Sequence, residues 1–404
     1  MISKLKKYKN IIIDLFINTF SFSIYIIAQQ ILFMPIMGKL ISEDALAKFI
    51  MYISIFSIIS NSLGSELGIV RQIREEKKEY GTYNKTLFYL IFFVFIISTI
   101  TILFLHYSII DTLFLSFIVV LANIRLYACS IYRMNKEFKK VFVQNILYLI
   151  GIVIGLLLFK KFRIIWIPSL VAEMFSLLYS INNSDIKKMF SFKEDRLKKD
   201  ILLSFKDYSI IEFLINMLTY FDKILIYPIL GTYSVNVYYA TSTMSKVVSL
   251  ITNPLHGVIL SWIKSDDKNS KNKIISHCLK YCAPFIIIIT IFCVPITYFA
   301  VRILYNKYLN DSLFLIIPIS FGVGFTFAST IIKAILLKYI ESKKLLKTYL
   351  IYLISFIIMS IVFSKLFSLI GFAIATMISK IILLIMFIVL LKNTIIKGDE
   401  LYEN

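Results

Sequence analysis

The sequence predicts an all-α integral membrane protein with about twelve transmembrane helices in two lobes of about six helices each. The first observation is composition: 59% of the 404 residues are hydrophobic and only 17% are charged, whereas soluble domains carry about a quarter of charged residues. The second is that the apolar residues form long unbroken blocks, and blocks of about 18 or more are typical of membrane helices. The third is an internal repeat, which predicts a duplicated chain.

The apolar blocks define the predicted spans in order, because nearly all are long enough to cross a hydrocarbon core of about 30 Å. In the first half they cover residues 14–38, 47–70, 87–105, 112–131, 141–159 and 164–181. In the second half they cover residues 208–230, 237–262, 281–304, 312–337, 348–363 and 367–391. The predicted domains are an N-terminal lobe at 1–181, a polar cytoplasmic linker at 182–200 and a C-terminal lobe at 201–404.

Two pairs of similar segments support the duplication. Residues 31–38 and 224–231 share the pattern Ile-Leu-x-x-Pro-Ile-x-Gly. Residues 116–159 and 320–363 share a longer series of identical positions in the same order. Lobes with an even number of helices insert in the same orientation, so their pseudo-two-fold axis would run along the membrane normal, as in parallel-repeat transporters.

The basic residues predict the orientation of the chain. The net charge is +20, which in a membrane protein indicates basic loops kept in the cytoplasm rather than binding to nucleic acid. These residues concentrate at the N-terminus, after even-numbered spans and in the C-terminal tail; Arg71 is counted in the loop after the second span. Both termini are therefore predicted to be cytoplasmic. The four cysteines and three histidines lack the spacing of a metal site or a disulfide framework.

Charged side chains inside the spans are the candidate functional residues. A charge near the bilayer centre costs about 2.5–3.5 kcal/mol or more, so it is expected to face a wet cavity or a partner. The basic set is Arg125, Lys223, Lys246, Lys333 and Lys380, and the acidic set is Glu66, Glu173, Glu212 and Asp222.

Depth distinguishes the members of the basic set. Lys246 and Lys380 lie too far from the ends of their helices for a lysine stem to reach the headgroups unaided. They are therefore predicted to line a central cationic, substrate-binding cavity to which Lys223 also contributes, with Lys333 and Arg125 nearer its cytoplasmic mouth. Lys333 is close enough to its helix end for snorkelling to remain an alternative.

The acidic residues have more than one interpretation. Glu66 and Glu212 are predicted to be solvated near the cytoplasmic interface. Glu173 lies in mid-span, where a carboxylate either carries a coupling proton or forms a hydrogen bond to a neighbouring Ser or Tyr. Asp222 and Lys223 point about 100° apart on a helix and need not pair with each other. Asp222 is expected to neutralise Lys246 or to form a structural ion pair.

Residues 222–240 resemble the pattern of a known family. The resemblance rests on the Asp222-Lys223 pair before an apolar run, followed by Leu230-Gly231, a short turn and a Tyr238-x-Ala240 helix start. This pattern is similar to that of the Wzx-type polysaccharide flippases of the MOP (MATE-like) exporter superfamily. The likeness extends to chain length, span count, loop pattern and duplication.

The resemblance implies a V-shaped, non-enzymatic transporter of the bacterial cytoplasmic membrane. It implies that two six-helix lobes move undecaprenyl-pyrophosphate-linked oligosaccharide to the outer leaflet by alternating access, for O-antigen or capsule synthesis. The expected partners are this lipid-linked oligosaccharide, membrane lipids, and a polysaccharide polymerase with chain-length proteins. No cofactor is expected, and coupling to H⁺ or Na⁺ is left open.

Two other function classes are weighed against this one. A MATE-like, cation-coupled antiporter for small molecules or drugs is the main alternative, and its cationic drugs would need an acidic cavity. A membrane enzyme such as a polysaccharide polymerase would need a long outer loop, and the predicted outer connections are short. Gly64-x-x-x-Gly68 and Gly151-x-x-x-Gly155 predict close helix packing within a lobe.

Overall fold

The computed structural model describes residues 16–73, 80–183, 199–262, 268–339 and 342–400, and for the helical stretches 244–262, 268–279 and 393–400 it describes the backbone alone. These ranges are helical and contain no β-strand, so the predicted all-α fold class is confirmed. Nine helices in the described part of the chain are long and apolar enough to cross a membrane. The count of about twelve spans stays a prediction.

The first half of the chain forms helices at the places where spans are predicted. They are α1 (Phe16–Leu40), α2 (Glu43–Gln72), α3 (Tyr80–Leu103), α4 (Ile109–Met134), α5 (Phe138–Phe162) and α6 (Ile167–Asn183). Ser108 caps the start of α4, because its Oγ accepts a hydrogen bond from the backbone nitrogen of Asp111 at 3.1 Å. Such a cap satisfies a donor that the first helical turn leaves open.

Two of these helices contain a π-helical segment. In α1 it covers Ile27–Phe33 and in α2 it covers Asn61–Ser65. A π turn holds one residue more than an α turn, so the residues that follow it are rotated by about 100° relative to an uninterrupted helix. Gln29 and Gln30 are buried within the first segment. The π turns therefore change which side chains the helix presents to its neighbours.

The second half forms α7 (Lys199–Trp262), α8 (Lys268–Leu304), α9 (Leu309–Tyr339) and α10 (Ser342–Glu400). As a straight rod α7 would extend about 96 Å, three times the hydrocarbon core. Its backbone breaks at Gly231, where φ is 79° and ψ is −179°. The backbone of α10 breaks at Phe367 and Ser368. The break at Gly231 falls between two predicted spans, and the break in α10 falls at the first two residues of the last predicted span. Each long helix therefore comprises two segments.

Contacts group the chain into two compact units, Met1–Ile224 and Leu225–Asn404. The division lies inside α7. The predicted lobe limits at 1–181 and 201–404 stay a prediction.

Glycines allow neighbouring helices to touch in the first unit. A Cβ at Gly151 would lie 2.5 Å from Ala172 Cα, and one at Gly155 would lie 2.5 Å from Pro168 Cα. These contacts bring α5 and α6 together at backbone distance. Gly64 packs against α4 in the same way. The predicted close packing within a lobe is therefore confirmed, and it uses the small residues that membrane helices favour at interfaces.

Substitution of Gly155 by alanine should destabilise the protein. The added methyl group would meet the Cα of Pro168, and overpacking of this kind costs about 1–3 kcal/mol. The measurement is thermal unfolding of the purified protein in detergent. Gly322→Ala is the matched control, because its Cβ would meet the flexible Lys380 side chain at 3.4 Å. Equal melting temperatures for both variants would contradict the packing.

Candidate functional site

The polar centre of the first unit is an ion pair between Arg125 on α4 and Glu173 on α6. Arg125 Nε lies 2.7 Å from Glu173 Oε2, and Arg125 Nη2 donates to Glu173 Oε1 at 3.2 Å. The two side chains are 3% and 1% exposed. A two-point pair of this kind satisfies both groups where an isolated buried charge would cost several kcal/mol.

Two tyrosine rings enclose the guanidinium of Arg125. Its Cζ lies 4.9 Å from the ring centroid of Tyr25 and 5.1 Å from that of Tyr148, within the range of cation–π attraction. Gln29, from the π-helical part of α1, donates to Tyr148 Oη at 2.9 Å. These five residues, Arg125, Glu173, Tyr25, Tyr148 and Gln29, are the Arg125 cluster. It joins α1, α4, α5 and α6 around one buried cation.

Buried amides continue the network along α5. Gln144 Nε2 donates to the backbone oxygen of Arg125 at 3.2 Å and to Ser180 Oγ at 2.8 Å. Asn145 Nδ2 donates to the backbone oxygen of Ser21 at 2.9 Å. Leaving such a group unsatisfied in a buried place costs about 1–3 kcal/mol. The bonds therefore hold α5 in one register against α1, α4 and α6.

Asp222 and Lys223 form an ion pair with each other. Lys223 Nζ lies 2.7 Å from Asp222 Oδ2, and the side chains of Lys223 and Asp222 are 3% and 14% exposed. Adjacent positions on a helix need not pair, but the four-carbon stem of lysine is flexible enough to turn back to its neighbour. Of the two interpretations of Asp222, this is the structural pair. The alternative partner, Lys246, lies on α7 where only the backbone is described.

The other predicted lysines lie on two helices of the second unit. Lys380, on α10, packs against Gly322 of α9: a Cβ at Gly322 would lie 3.4 Å from Lys380 Nζ. Lys333, on α9, has its Nζ 5.8 Å from the ring centroid of Tyr349. Both lysines are half-buried. The structure thus groups the predicted site residues as Arg125 with Glu173 and Asp222 with Lys223, while Lys333 and Lys380 occupy separate helices.

Arg71 is a buried cation, although its place after the second predicted span assigns it to a cytoplasmic loop by sequence. Arg71 lies on α2 and is 1% exposed. Its Nη1 donates to Tyr127 Oη at 2.8 Å, and its Cζ lies 5.6 Å from the ring centroid of Tyr83. Helical spacing in the sequence could have indicated this burial, because Leu67, Val70 and Arg71 lie on one helical face. All three are buried.

Two carboxylates also differ from expectation. Glu66 is predicted to be solvated, but it is 5% exposed. The π turn at Asn61–Ser65 comes directly before it and rotates the following residues, Glu66 and Arg71 among them, away from the positions that a regular helix would give. Glu173 has Arg125 as its partner, whereas its hydrogen-bonding interpretation named a Ser or Tyr, and its interpretation as a carrier of a coupling proton stays a prediction.

The described ranges contain no candidate metal site. There, no group of three or more His, Cys, Asp or Glu side chains could hold an ion. What the described residues offer is a set of charged side chains inside apolar helices, where such groups are rare.

The fold is similar to that of solved transporter structures, although the sequence has no match. No protein-family model and no curated protein matches the chain by sequence. Among solved structures, the lipid II flippase MurJ in an inward closed conformation is similar with a TM-score of 0.68 and 17% identity, covering 96% of this chain and 89% of that one.

Multidrug transporters of the MATE family are similar as well. An inward-facing multidrug resistance MATE transporter of the MOP superfamily matches with a TM-score of 0.72 and 13% identity, over 94% of this chain and 95% of the other. The Vibrio cholerae MATE transporter VcmN in its bent form matches with a TM-score of 0.65 and 13% identity, over 100% of both chains. The chain therefore has the all-helical membrane fold that MurJ shares with the MATE transporters.

Proposed function

We propose that this protein is a flippase that moves polyprenyl-pyrophosphate-linked oligosaccharide across the bacterial cytoplasmic membrane, by alternating access, for the synthesis of surface polysaccharide such as O-antigen or capsule. The observation that carries the proposal is Lys380, a half-buried ammonium group in a helical stretch with a mean hydropathy of 2.7. The similar fold of MurJ, a lipid II flippase, supports a lipid-linked substrate.

The proposed substrate explains why a lysine is kept at this depth. A charge within an apolar span costs about 2.5–3.5 kcal/mol. A charge-assisted hydrogen bond from the lysine to a pyrophosphate would offset this cost. Gly322 leaves the space in which Lys380 lies, and Lys333 is held beside an aromatic ring. In the proposal Lys380, Lys333 and Lys246 attract the pyrophosphate, while the polyprenyl chain remains in lipid.

Arg125 and Lys223 receive a different role in this proposal. Each already has a carboxylate partner at 2.7 Å or less, so binding a phosphate would require exchange of that partner. Arg125–Glu173 and Asp222–Lys223 therefore act as paired charges that position helices. They are also the proposed places at which H⁺ or Na⁺ coupling would act, by changing the charge of Glu173 or Asp222.

A MATE-like antiporter for small cationic molecules is the second candidate, and the similarity to MATE transporters favours it. The buried carboxylate that such a pump would use here is Glu173. In this structure Glu173 is neutralised by two hydrogen bonds from Arg125, and cationic drugs would meet the lysines of the second unit. These charges favour an anionic substrate over a cationic drug.

The first test follows the substrate itself. A strain without this gene should accumulate lipid-linked oligosaccharide on the cytoplasmic leaflet, because synthesis continues while transfer stops. Accessibility of the lipid-linked sugars to an added glycosidase, compared in intact cells and inverted vesicles, measures the leaflet. Restoration by the wild-type gene is the control. Normal export together with a change in drug resistance would instead support the antiporter.

The second test removes the charge of Lys380. Lys380→Met keeps most of the length of the side chain, and we expect surface polysaccharide to fall about tenfold or more, since a hydrogen bond to a charged group is worth about 1.5–3 kcal/mol. Lys365→Met is the matched control, because Lys365 is exposed on the same helix. Polysaccharide and membrane protein levels are measured by immunoblot. Equal polysaccharide from both variants would contradict the assignment.

The third test separates positioning from substrate contact at the Arg125 cluster. Glu173→Gln should destabilise the protein by about 3–5 kcal/mol, because it leaves a buried guanidinium without its counter-charge. Replacing both partners by methionine should recover much of this loss. Thermal unfolding in detergent measures stability. The control is Glu137→Gln. Glu137 and its ion-pair partner Lys140 are 36% and 34% exposed, so this substitution should change stability by about 1 kcal/mol or less. A similar small change at Glu173 would contradict the positioning role.

A further inference from the structure

A cleft of about 580 Å³ lies at one end of the first unit, and no residue of the Arg125 cluster lines it. Three chain connections form it: the one after α1, the one between α3 and α4, and the one between α5 and α6. Its polar and aromatic lining includes Asp44, Lys48, His106, Tyr107, Asp111 and Arg163. The volume is within the range of about 300–1,000 Å³ that is typical of small-molecule sites.

Asp111 is the most firmly held of these groups. Trp166 Nε1 donates to Asp111 Oδ1 at 3.1 Å, and Ser108 Oγ donates to Asp111 Oδ2 at 2.7 Å. The indole of Trp166 is itself stacked on Phe114, with ring centroids 3.8 Å apart. A carboxylate has about four lone-pair positions, so Asp111 is rigid and still has capacity to accept hydrogen bonds from a ligand.

The backbone around the cleft is held in a conformation that these residue types rarely adopt. His106 and Arg163 have φ values of 56° and 57°, in the left-handed region, which costs about 1–3 kcal/mol for a residue other than glycine. Neighbouring Tyr107 has a buried hydroxyl with no hydrogen-bond partner among the described residues. The connections thus combine a strained backbone with a Tyr107 hydroxyl that lacks a hydrogen-bond partner among the described residues.

The lining fits a ligand that both donates and accepts hydrogen bonds. Lys48 and Arg163 supply donors, and Asp44 and Asp111 supply acceptors. A strongly anionic ligand would meet the two carboxylates, and an apolar ligand would leave all four charges unused. The hydroxyl groups of a saccharide match both kinds, and the C–H faces of its rings can pack on aromatic residues such as Tyr107.

The position of the cleft indicates which side of the membrane it faces. Its three connections follow the first, third and fifth predicted spans, which the positive-inside rule places outside the cell. We propose that this cleft is a saccharide-binding site on the outer face, which takes up the sugar part of the substrate after translocation. This inference rests on the proposed flippase function.

A single tryptophan beside the cleft allows a direct binding test. The chain has two tryptophans, so Trp262→Phe leaves Trp166 as the only one, next to Asp111. The probe is the soluble oligosaccharide released by mild acid from the lipid-linked precursor of the source cells. We expect a saturable change in the emission of Trp166 when this variant, purified in nanodiscs, is titrated with the probe.

Variants of the cleft show whether the signal comes from this site. Asp44→Asn removes an exposed carboxylate, and Arg163→Gly removes the guanidinium while suiting the left-handed backbone at this position. Each should raise the dissociation constant about tenfold, the effect of losing a charged hydrogen bond. Lys160→Ala is the matched control, since Lys160 is exposed on the same end of α5 outside the cleft lining, and it should bind like the parent.

The outer location is tested separately by labelling. His106→Cys is made in a background in which the four native cysteines are replaced by serine. A membrane-impermeant maleimide should label it in intact cells, and labelling only after permeabilisation would overturn the outer location.

The binding experiment has outcomes that separate this inference from the proposed function. No saturable signal in the parent, or equal affinity in both cleft variants, would overturn the saccharide site even if the wild-type gene restores polysaccharide export. Suppose instead that the protein binds saccharide, that the cleft variants weaken this binding, and that the wild-type gene does not restore export. This result would support the saccharide site and contradict the proposed flippase function.

Discussion

The first unit depends on a guanidinium that is neutralised inside apolar helices. Arg125 on α4 contacts three other helices, because Glu173, Tyr25 and Tyr148 approach it from α6, α1 and α5. In a bilayer the hydrophobic effect does not distinguish one apolar helix face from another, so polar contacts and close packing decide which helices meet. The Arg125 cluster supplies the polar contacts, and Gly151 and Gly155 supply the close packing beside it.

The charges of the two units are arranged differently. In the first unit Arg125 and Lys223 have carboxylate partners within the same unit. In the second unit the described lysines Lys333 and Lys380 lie beside a tyrosine ring and a glycine. In the proposed function the paired charges of the first unit position helices, and Lys333 and Lys380, half-buried in apolar helices of the second unit, attract a pyrophosphate.

The cleft beside Asp111 would extend this division to a third place. The Arg125 cluster and the lysines lie within apolar helices, whereas the cleft lies at helix ends and at connections that include left-handed residues. A substrate with a pyrophosphate and a sugar chain has two chemically distinct parts. In the proposed function, lysines within the helices meet the first part, and a mixed lining at helix ends and connections meets the second.

The sequence alone predicts the all-helical membrane fold, the approximate positions of the helices and some of the buried charges, namely Arg125, Glu173 and Lys223. These follow from block length and from the cost of charge in lipid, both of which act locally. Tertiary structure alone decided the partners: Glu173 with Arg125, Asp222 with Lys223, and Arg71 within the tyrosine rings. Periodicity could not reveal them, because partners such as Arg125 and Glu173 are far apart in the chain. The π turns also rotate Glu66 and Arg71 away from the face that a regular helix predicts.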